Sequence, residues 1–586
     1  MMSDSAYFPE ATTPGGFLLV LAVGLPTAGM LLSLALGGRL AARTALFLLP
    51  AGLGLAFAIV TVVWRSGGPL VYLLGGWAPP LGLALRADGL SAAMVVTTAI
   101  VVCTTGLYAR AAFPVPPGAS EARAPLVFWV LLMAVWAALN LVFLGDDLFN
   151  LYVALELLTF AAVPLVCLDG RAETLAAALR YLLFALIGSV LYLLGTALLY
   201  GGYGTLDIVL LFGRIRPELV AFIAVSLMTT GLLAKTALFP LHLWLPPAHA
   251  GAPPAASAML SGLVVKGSFF LVVRLWFDVM PWLLNQAASQ ILSALGAGAI
   301  LVGSVLALRQ ARLKLLIAYS TIAQIGYLFL MFPLASGSTS AQFGSNVALT
   351  GGFLQAISHA FAKAAMFMSA GLMAEALGHD RIAELRGVGQ MLPVTVFAFG
   401  LAALSLIGLP PSGGFVAKWL LLTAVFTAGQ WWWALVMAIG GLLAGGYMFR
   451  VLAPAMADAA EPLIPRMSVP RSRELVALAL ALCSMLLGLL PLRAFDLLGI
   501  GRQHASQAIA KPPCPSDANP NATLARISHA PVRNAHAVPT FVGASRESLR
   551  PGEPRMLSGL AAGDLLTNCK IYDKVRLVPL YLAGSQ

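Results

Sequence analysis

The sequence predicts an all-α, polytopic membrane protein with about fourteen transmembrane helices. Hydrophobic residues make up 60% of the 586 residues and charged residues only 10%, against roughly 45–50% and 25% in soluble domains. The mean hydropathy is +0.89. So few charges cannot cover the surface of a soluble protein of this length. A soluble enzyme, a disordered scaffold and a nucleic-acid-binding protein are therefore excluded.

Fourteen apolar runs are long enough to cross a bilayer, which requires about 20 residues. They lie at 16–37, 42–64, 90–109, 125–144, 148–168, 176–200, 219–244, 256–277, 288–308, 315–334, 349–377, 393–425, 430–453 and 474–492. Residues 66–89 are also apolar, but Gly and Pro interrupt them, so we expect a hairpin-like loop there and not a span. No basic segment precedes the first run, which favours a retained span over a cleaved signal.

Lys and Arg are distributed unevenly between the two sets of loops. If the N-terminus lies outside, thirteen of these loop residues lie inside and only four lie outside before the last span. This bias predicts that both ends of the helix bundle lie on the outer side of the membrane, which we expect to be a bacterial inner membrane. Residues 501–586 are rich in Pro, Ser, Asn and charge, without apolar periodicity, which predicts a disordered tail.

Motifs for cofactors and metals are not found in the sequence. The five cysteines have no Cys-x-x-Cys spacing and no paired histidines, so iron–sulfur and zinc sites are not supported. Glycine-rich nucleotide-binding motifs are also missing. We therefore expect no cofactor and no redox centre in this chain.

Six ionisable residues lie inside the predicted spans, where a charge is costly and usually functional. They are Glu156, Lys235, Lys266, His359, Lys363 and Lys418. His359 and Lys363 are four residues apart and share one helix face. For each of the six the alternative is a salt bridge that only holds two helices together. For Lys418, Glu375 is the nearest acid in sequence within an apolar stretch.

Two of these lysines lie beside interrupted helices. Pro240 follows Lys235, and Pro410, Pro411, Gly413 and Gly414 precede Lys418. Paired interruptions of this kind are typical of inverted-repeat transporters. They fall on the seventh and twelfth spans, so spans 4–8 and 9–13 are predicted to be the two repeats. The predicted divisions are 1–124 for spans 1–3, 125–278 and 288–455 for the repeats, 456–500 for span 14, and 501–586 for the tail.

A broken helix exposes backbone groups to a cavity and admits water to midplane depth. A lysine there exchanges its proton more readily than one in bulk water, and Glu156 is the expected partner of Lys235. His242 and His249 follow the break in the seventh span, where a structural hydrogen bond and a proton relay are equally compatible with the sequence.

Several ordered segments resemble the proton-conducting antiporter-like family. These are DLFNLYVALEL, KTALFPLHLWLPPAHAGAPPAASAMLSGLVVK, LLIAYSTIAQIGY, SHAFAKAAMF and GLPPSGGFVAKWLLL, within roughly residues 70–455. The family includes the D and A subunits of Mrp-type sodium/proton antiporters, the L, M and N subunits of respiratory complex I, and membrane hydrogenase subunits. The lysine at position 418 and the segment 74–92 favour the Mrp D-like or the N-like branch.

The resemblance implies roles for the six residues. Glu156 and Lys235 would be the coupled pair, Lys266 the central relay, His359 and Lys363 the link between half-channels, and Lys418 the terminal proton carrier. One departure is that the usual acidic-Leu-Lys-Arg motif reads Arg312-Leu313-Lys314-Leu315 here. The long tail is a second departure.

Three functions are compatible with these observations. The leading one is a proton-translocating subunit of a multi-subunit complex that exchanges sodium for protons across the bilayer, with other membrane subunits as partners. The second is a proton-pumping subunit of a redox-driven complex, either an NADH:quinone oxidoreductase or a membrane-bound hydrogenase. The third is a scaffold subunit whose buried charges only hold helices together.

Overall fold

The computed structural model describes residues 11–114, 122–281, 286–335, 341–459 and 465–501. These residues belong to one compact unit that spans Met1–Pro512. The predicted disordered tail lies outside the described residues from position 502 onward.

The described residues form twenty α-helices, which we number α1 to α20 in chain order. Their bounds are Phe17–Leu36, Gly38–Ser66, Gly89–Ala112, Arg123–Leu144, Leu148–Val166, Ala172–Tyr203, Ile208–Arg214, Leu219–Thr236, Leu245–Gly251, Pro254–Met259, Val265–Val273, Gln286–Leu308, Leu313–Phe329, Met331–Ala335, Ala341–Leu377, Val388–Met391, Pro393–Ile407, Gly413–Thr427, Trp431–Met456 and Arg471–Leu486. The π-helical stretch Leu260–Val264 joins α10 to α11, and a second one, Arg274–Val279, extends α11, so that Pro254–Val279 is one continuous span.

Within the described part of the chain, twelve helical segments are long and apolar enough to cross a membrane. The other two predicted spans correspond to α17 with α18, and to α20. These helices contain 15, 15 and 16 residues, so each is shorter than a full crossing. The all-α polytopic fold is therefore confirmed. The count of fourteen spans and the division into repeats stay predictions.

Residues 66–89 form a β-hairpin, as the Gly and Pro interruptions indicate. Strand β1 (Leu70–Leu73) pairs antiparallel with β2 (Ala84–Ala87). Leu85 bridges to Gly145, and the backbone N–H of Gly89 donates to Ile500 O at 3.0 Å. The hairpin therefore joins the start of α3, the end of α4 and the C-terminal segment at one end of the bundle, which we call the hairpin end.

The opposite end of the bundle is held by a separate set of loop contacts. Arg312 bridges to Arg381, and the backbone N–H of Arg466 donates to Ala376 O at 2.9 Å. Arg312 also pairs with Asp380, with Nε 3.0 Å from Oδ1. The segment between α12 and α13, whose sequence departs from the family pattern, therefore still takes part in a charged contact at this end.

Both predicted helix breaks are present. The first lies between α8, which ends at Thr236, and α9, which begins at Leu245. Ala237 has the left-handed φ of 58° there, which is uncommon for a residue with a Cβ. The second lies between α17 and α18, where Gly408 has φ of 91° and Ser412 Oγ accepts a hydrogen bond from Phe415 N at 3.1 Å. This N-cap starts α18 as a new helix.

Candidate functional site

Glu156 and Lys235 lie in direct contact, as the sequence predicts. Lys235 Nζ is 3.1 Å from Glu156 Oε1, and the two side chains are 6% and 14% exposed. Lys235 Nζ also donates to Thr159 Oγ1 at 3.0 Å, and the Ser189 hydroxyl donates to Glu156 Oε1. The pair therefore joins α5, α6 and α8, and hydroxyl groups from two of these helices complete it.

Close backbone packing between α6 and α8 places Lys235 at this site. A Cβ added at Gly188 would lie 2.6 Å from Gly231 O and 3.2 Å from Lys235 Cγ. Glycine at this crossing lets the two helices approach, as in many membrane proteins. Trp244 lies in the break that follows α8, and its indole N–H donates to the Ala234 carbonyl oxygen at 2.9 Å.

Lys266 and Lys363 are completely buried and are held by neutral oxygen atoms. Lys266 Nζ donates to Ser261 O, and Lys363 Nζ donates to Ile317 O at 2.9 Å and to Ser320 Oγ. Among the described residues, no carboxylate lies within salt-bridge distance of either ammonium group. Neutral acceptors satisfy the ammonium hydrogens without the full negative charge that would fix the proton in place.

The buried histidines have unsatisfied ring nitrogens. Neither ring nitrogen of His359 has a hydrogen-bond partner among the described residues, and His359 is 1% exposed. His249 stacks on Phe367 with ring centroids 4.8 Å apart, and its Nδ1 also lacks a partner in the described part of the chain. These side chains present free polar atoms in the interior that contains Lys266 and Lys363. No group of three His, Cys, Asp or Glu side chains in the described residues could hold a metal ion.

Lys418 lies at the second break, against the C-terminal turn of α17. Its Nζ donates to Leu406 O at 2.7 Å and to Ile407 O at 3.0 Å, and it lies 4.3 Å from the centroid of the Tyr327 ring. The last carbonyls of a helix have no intrahelical partners and carry partial negative charge. The break therefore supplies acceptors to Lys418, while Gln324 Nε2 donates to Leu406 O at 3.0 Å.

Comparison with known proteins identifies the family. The model of the family described as NADH:quinone oxidoreductase/Mrp antiporter, transmembrane, matches residues 145–444. This region contains all six predicted site residues and both helix breaks. The chain belongs to this family.

Relatives of this chain occur in more than one kind of assembly. The chain is 33% identical over 445 residues to the N subunit of the NADH-quinone oxidoreductase of Desulforudis audaxviator, covering 72% of this chain and 85% of the relative. It is 28% identical over 397 residues to the D subunit of the Na(+)/H(+) antiporter of Bacillus subtilis, covering 67% and 77%. The structure of the Mrp complex from Dietzia sp. DQ12-45-1b contains a chain that matches with TM-score 0.75 and 26% identity, covering 84% of this chain and 98% of that one. The chain is thus an antiporter-like, multi-pass membrane protein related to both.

The sequence-based alternative of a salt bridge between Lys418 and Glu375 is wrong. Glu375 does not approach Lys418, because its two carboxylate oxygens accept hydrogen bonds from Arg473, at 2.5 Å and 2.8 Å. Arg473 also covers the Tyr108 ring at 4.3 Å. By sequence Arg473 belongs to a loop, but its side chain is only 5% exposed in the first turn of α20.

A second charged cluster lies at the hairpin end. Arg274 pairs with Asp88 at 2.6 Å and with Asp278 at 2.7 Å, and it donates to Ser91 Oγ at 2.8 Å. Arg274 lies near the end of the predicted span 256–277, whereas Asp88 is far away in the sequence and only the fold brings it close. The spacing of Arg274 and Asp278 on one helix face is the sequence signal that could have indicated part of this cluster.

Proposed function

We propose that the chain is the proton-translocating subunit of a multi-subunit cation/proton antiporter, in which sodium is the exchanged cation. Glu156 and Lys235 form the coupled pair of the first half-channel, and Lys418 is the proton carrier of the second. Lys266, Lys363 and His359 connect them through the interior. The complex lies in a bacterial inner membrane with both ends of the helix bundle outside.

The observation that carries the proposal is the Glu156–Lys235 pair. Its two groups lie 3.1 Å apart at a helix break, with few alternative partners. A carboxylate at this distance stabilises the protonated lysine, and separation of the two groups favours release of the proton. An ion pair on an interrupted helix can be separated by a small shift of one helix segment. An ion pair between two continuous helices resists such a separation.

The chemistry of the other lysines supports the same proposal. Lys266, Lys363 and Lys418 bind neutral carbonyl or hydroxyl oxygens. A buried lysine with no carboxylate partner is a poor structural element, because an unpaired buried charge is costly. Three such lysines are more consistent with proton exchange than with a scaffold that is held together by ion pairs.

A redox-driven proton pump is the second candidate. The relative named as the N subunit of NADH-quinone oxidoreductase has a higher identity to this chain, 33%, than the relative named as an antiporter protein, 28%. The proton path would then be the same, but an electron-transfer arm in other subunits would drive it, and sodium would not be exchanged.

Reconstitution of the affinity-purified complex into proteoliposomes tests the proposal. A sodium gradient imposed without any electron donor is expected to drive proton movement, detected by a pH-sensitive dye inside the vesicles. Proton movement that requires NADH and quinone, with iron–sulfur or flavin subunits in the purified complex, would select the redox-driven function.

The scaffold alternative is tested by a variant in the same preparation. Glu156→Ala is expected to abolish proton movement in assembled complex, whereas Glu173→Ala is the matched control. Glu173 is a carboxylate in the first turn of α6 with an exposed side chain. Unchanged proton movement in Glu156→Ala would exclude the proposed path.

A further inference from the structure

Helix α20 lies outside both predicted repeats, yet three of its side chains bind the helices of the second repeat. Arg473 binds Glu375 of α15, and Glu474 Oε2 accepts from Thr395 N at 3.2 Å and Thr395 Oγ1 at 2.8 Å in the first turn of α17. Further along α20, Ser484 reaches both of these helices again. One helix therefore joins α15 to α17 at two levels of the bundle.

The second of these levels is a cluster of three buried hydroxyl groups, which we call the serine cluster: Ser358 of α15, Ser405 of α17 and Ser484 of α20. The Oγ–Oγ distances are 2.9 Å between Ser358 and Ser405, 3.1 Å between Ser358 and Ser484, and 2.7 Å between Ser405 and Ser484. None of the three residues is more than 2% exposed. Three hydroxyls from three helices in mutual contact fix the relative positions of those helices.

A bare cation does not fit in the plane of these three oxygens, at their centre. An ion at the centre of a triangle with these edges would lie about 1.7 Å from each oxygen, closer than the roughly 2.0 Å that even Mg²⁺ requires. The three Oγ–Oγ distances are hydrogen-bond distances, so the serine cluster is a hydrogen-bonded joint in this conformation. Any effect on transport therefore depends on the groups that the joint holds in place.

The group next to the joint is the terminal turn of α17. Ser405 directly precedes Leu406 and Ile407, whose carbonyls accept the two hydrogen bonds of Lys418 Nζ. The start of α18 packs closely against the same turn, because a Cβ added at Gly414 would lie only 1.9 Å from Ser405 O. The position of the Lys418 acceptors thus depends on where Ser405 is held.

We propose that the serine cluster positions Lys418, an inference that rests on the proposed function. Ser484 and Ser358 hold the last turn of α17 so that its carbonyls accept the hydrogen bonds of Lys418, the terminal proton carrier. Through these contacts, α20 links Lys418 to α15. Because α15 also bears His359 and Lys363, a displacement of α15 is transmitted to the acceptors of Lys418. The residues of the cluster are positioning residues, since they act through α17 and do not touch the ammonium group.

The test compares proton flux in proteoliposomes that contain the full assembled complex. Ser484→Ala is expected to lower the flux about tenfold, which at 1.4 kcal/mol per factor of ten corresponds to one lost buried hydrogen bond. Ser484→Thr keeps the hydroxyl and is expected to restore most of the flux. Ser405→Ala combined with Ser484→Ala should lose less than the product of the two single losses, because the Ser405–Ser484 contact is removed by both.

Ser369→Ala is the matched control. Ser369 lies on α15, eleven residues after Ser358, is fully buried, and its hydroxyl has no partner among the described residues. Its removal is expected to leave the flux unchanged. The amount of assembled complex on a native gel is measured for every variant, so that a loss of flux is distinguished from a loss of protein.

The outcomes of these experiments separate the positioning role of the serine cluster from the role of Lys418. Normal flux in Ser484→Ala, together with an inactive Lys418→Ala, would overturn the positioning role and leave the proposed function intact. Normal flux in Lys418→Ala would overturn the role of Lys418 itself. If Ser484→Ala fails to assemble, Ser358→Ala removes the joint from the α15 side. Failure of that variant to assemble as well would show that the cluster serves stability alone and would refute the inference.

Discussion

Replacement of Glu156 by alanine removes the one charged partner that the described residues give to Lys235. After the change, Lys235 Nζ keeps only the Thr159 hydroxyl, at 3.0 Å, and the Ser189 hydroxyl loses its acceptor on the carboxylate. The lysine side chain is 6% exposed, so water compensates for the lost charge only in part. The protonated form of Lys235 is therefore destabilised in the position where it has to be loaded.

The magnitude follows from the burial of the pair. Loss of one partner of a buried ion pair costs about 3–5 kcal/mol, and we take about 3 kcal/mol here because Glu156 is 14% exposed. At 1.4 kcal/mol per factor of ten, the population of loaded Lys235 falls about 100-fold. Proton flux through the first half-channel should fall by the same factor.

The assay is cation-driven proton uptake in inverted membrane vesicles, normalised to the amount of this protein in the membrane. Lys235→Ala is expected to lose at least as much flux as Glu156→Ala, because it deletes the carrier itself. The double variant should lose about the same as either single variant, since both remove one interaction. More than half of the wild-type flux in Glu156→Ala, or losses that multiply in the double variant, would refute the coupling of these two groups.

Three further predictions concern the same path. Lys235→Arg should transport no better than Lys235→Ala, because arginine stays charged in proteins and cannot release a proton; full flux in the arginine variant would show that charge alone is needed. Lys418→Ala should block transport in normally assembled complex, whereas Lys418→Glu should retain part of it, because a protonated carboxyl can donate to the Leu406 carbonyl that lysine now uses; loss of the complex on a native gel would instead mark Lys418 as structural. Gly188→Val should destabilise the α6–α8 contact by about 1–3 kcal/mol, because even a Cβ there lies 2.6 Å from Gly231 O; an unchanged thermal midpoint of the purified complex would contradict this close packing.

The sequence predicts the parts of the site that depend on residue types rarely found inside an apolar span, namely ionisable residues and helix-breaking residues. Glu156 is a lone carboxylate in an apolar span, so the cost of a buried charge predicts that it pairs with a buried lysine. The breaks beside Lys235 and Lys418 follow from proline and glycine, which cannot continue a regular helix. These features need no knowledge of which helices are neighbours.

The parts that the sequence does not predict depend on helix neighbours. Glu375 and Arg473 are 98 positions apart and meet because α15 packs against α20. Serines such as Ser189 and Ser484 are common in membrane helices and often bond to a carbonyl of their own helix, as Ser189 does to Ala185 O. Only the three-dimensional packing shows that these two also reach other helices. A single sequence contains no signal for such pairs, so these contacts appear only with the fold.

The two helix breaks hold their lysines in chemically different ways. At the first break Lys235 binds a carboxylate from another helix, while the Ala234 carbonyl accepts a hydrogen bond from Trp244. At the second break the freed carbonyls of Leu406 and Ile407 are themselves the acceptors of Lys418. A full charge binds the ammonium proton more strongly than two partial charges do. Under the proposed function, the first lysine therefore releases its proton only when Glu156 is displaced. The second responds to smaller shifts of one helix end. We therefore infer that a movement of the first pair, if it is transmitted to α15, releases the proton of Lys418 without any change in the charges around it. The serine cluster of Ser358, Ser405 and Ser484 lies between α15 and the Lys418 acceptors, so it is the place to test coupling between the two predicted repeats.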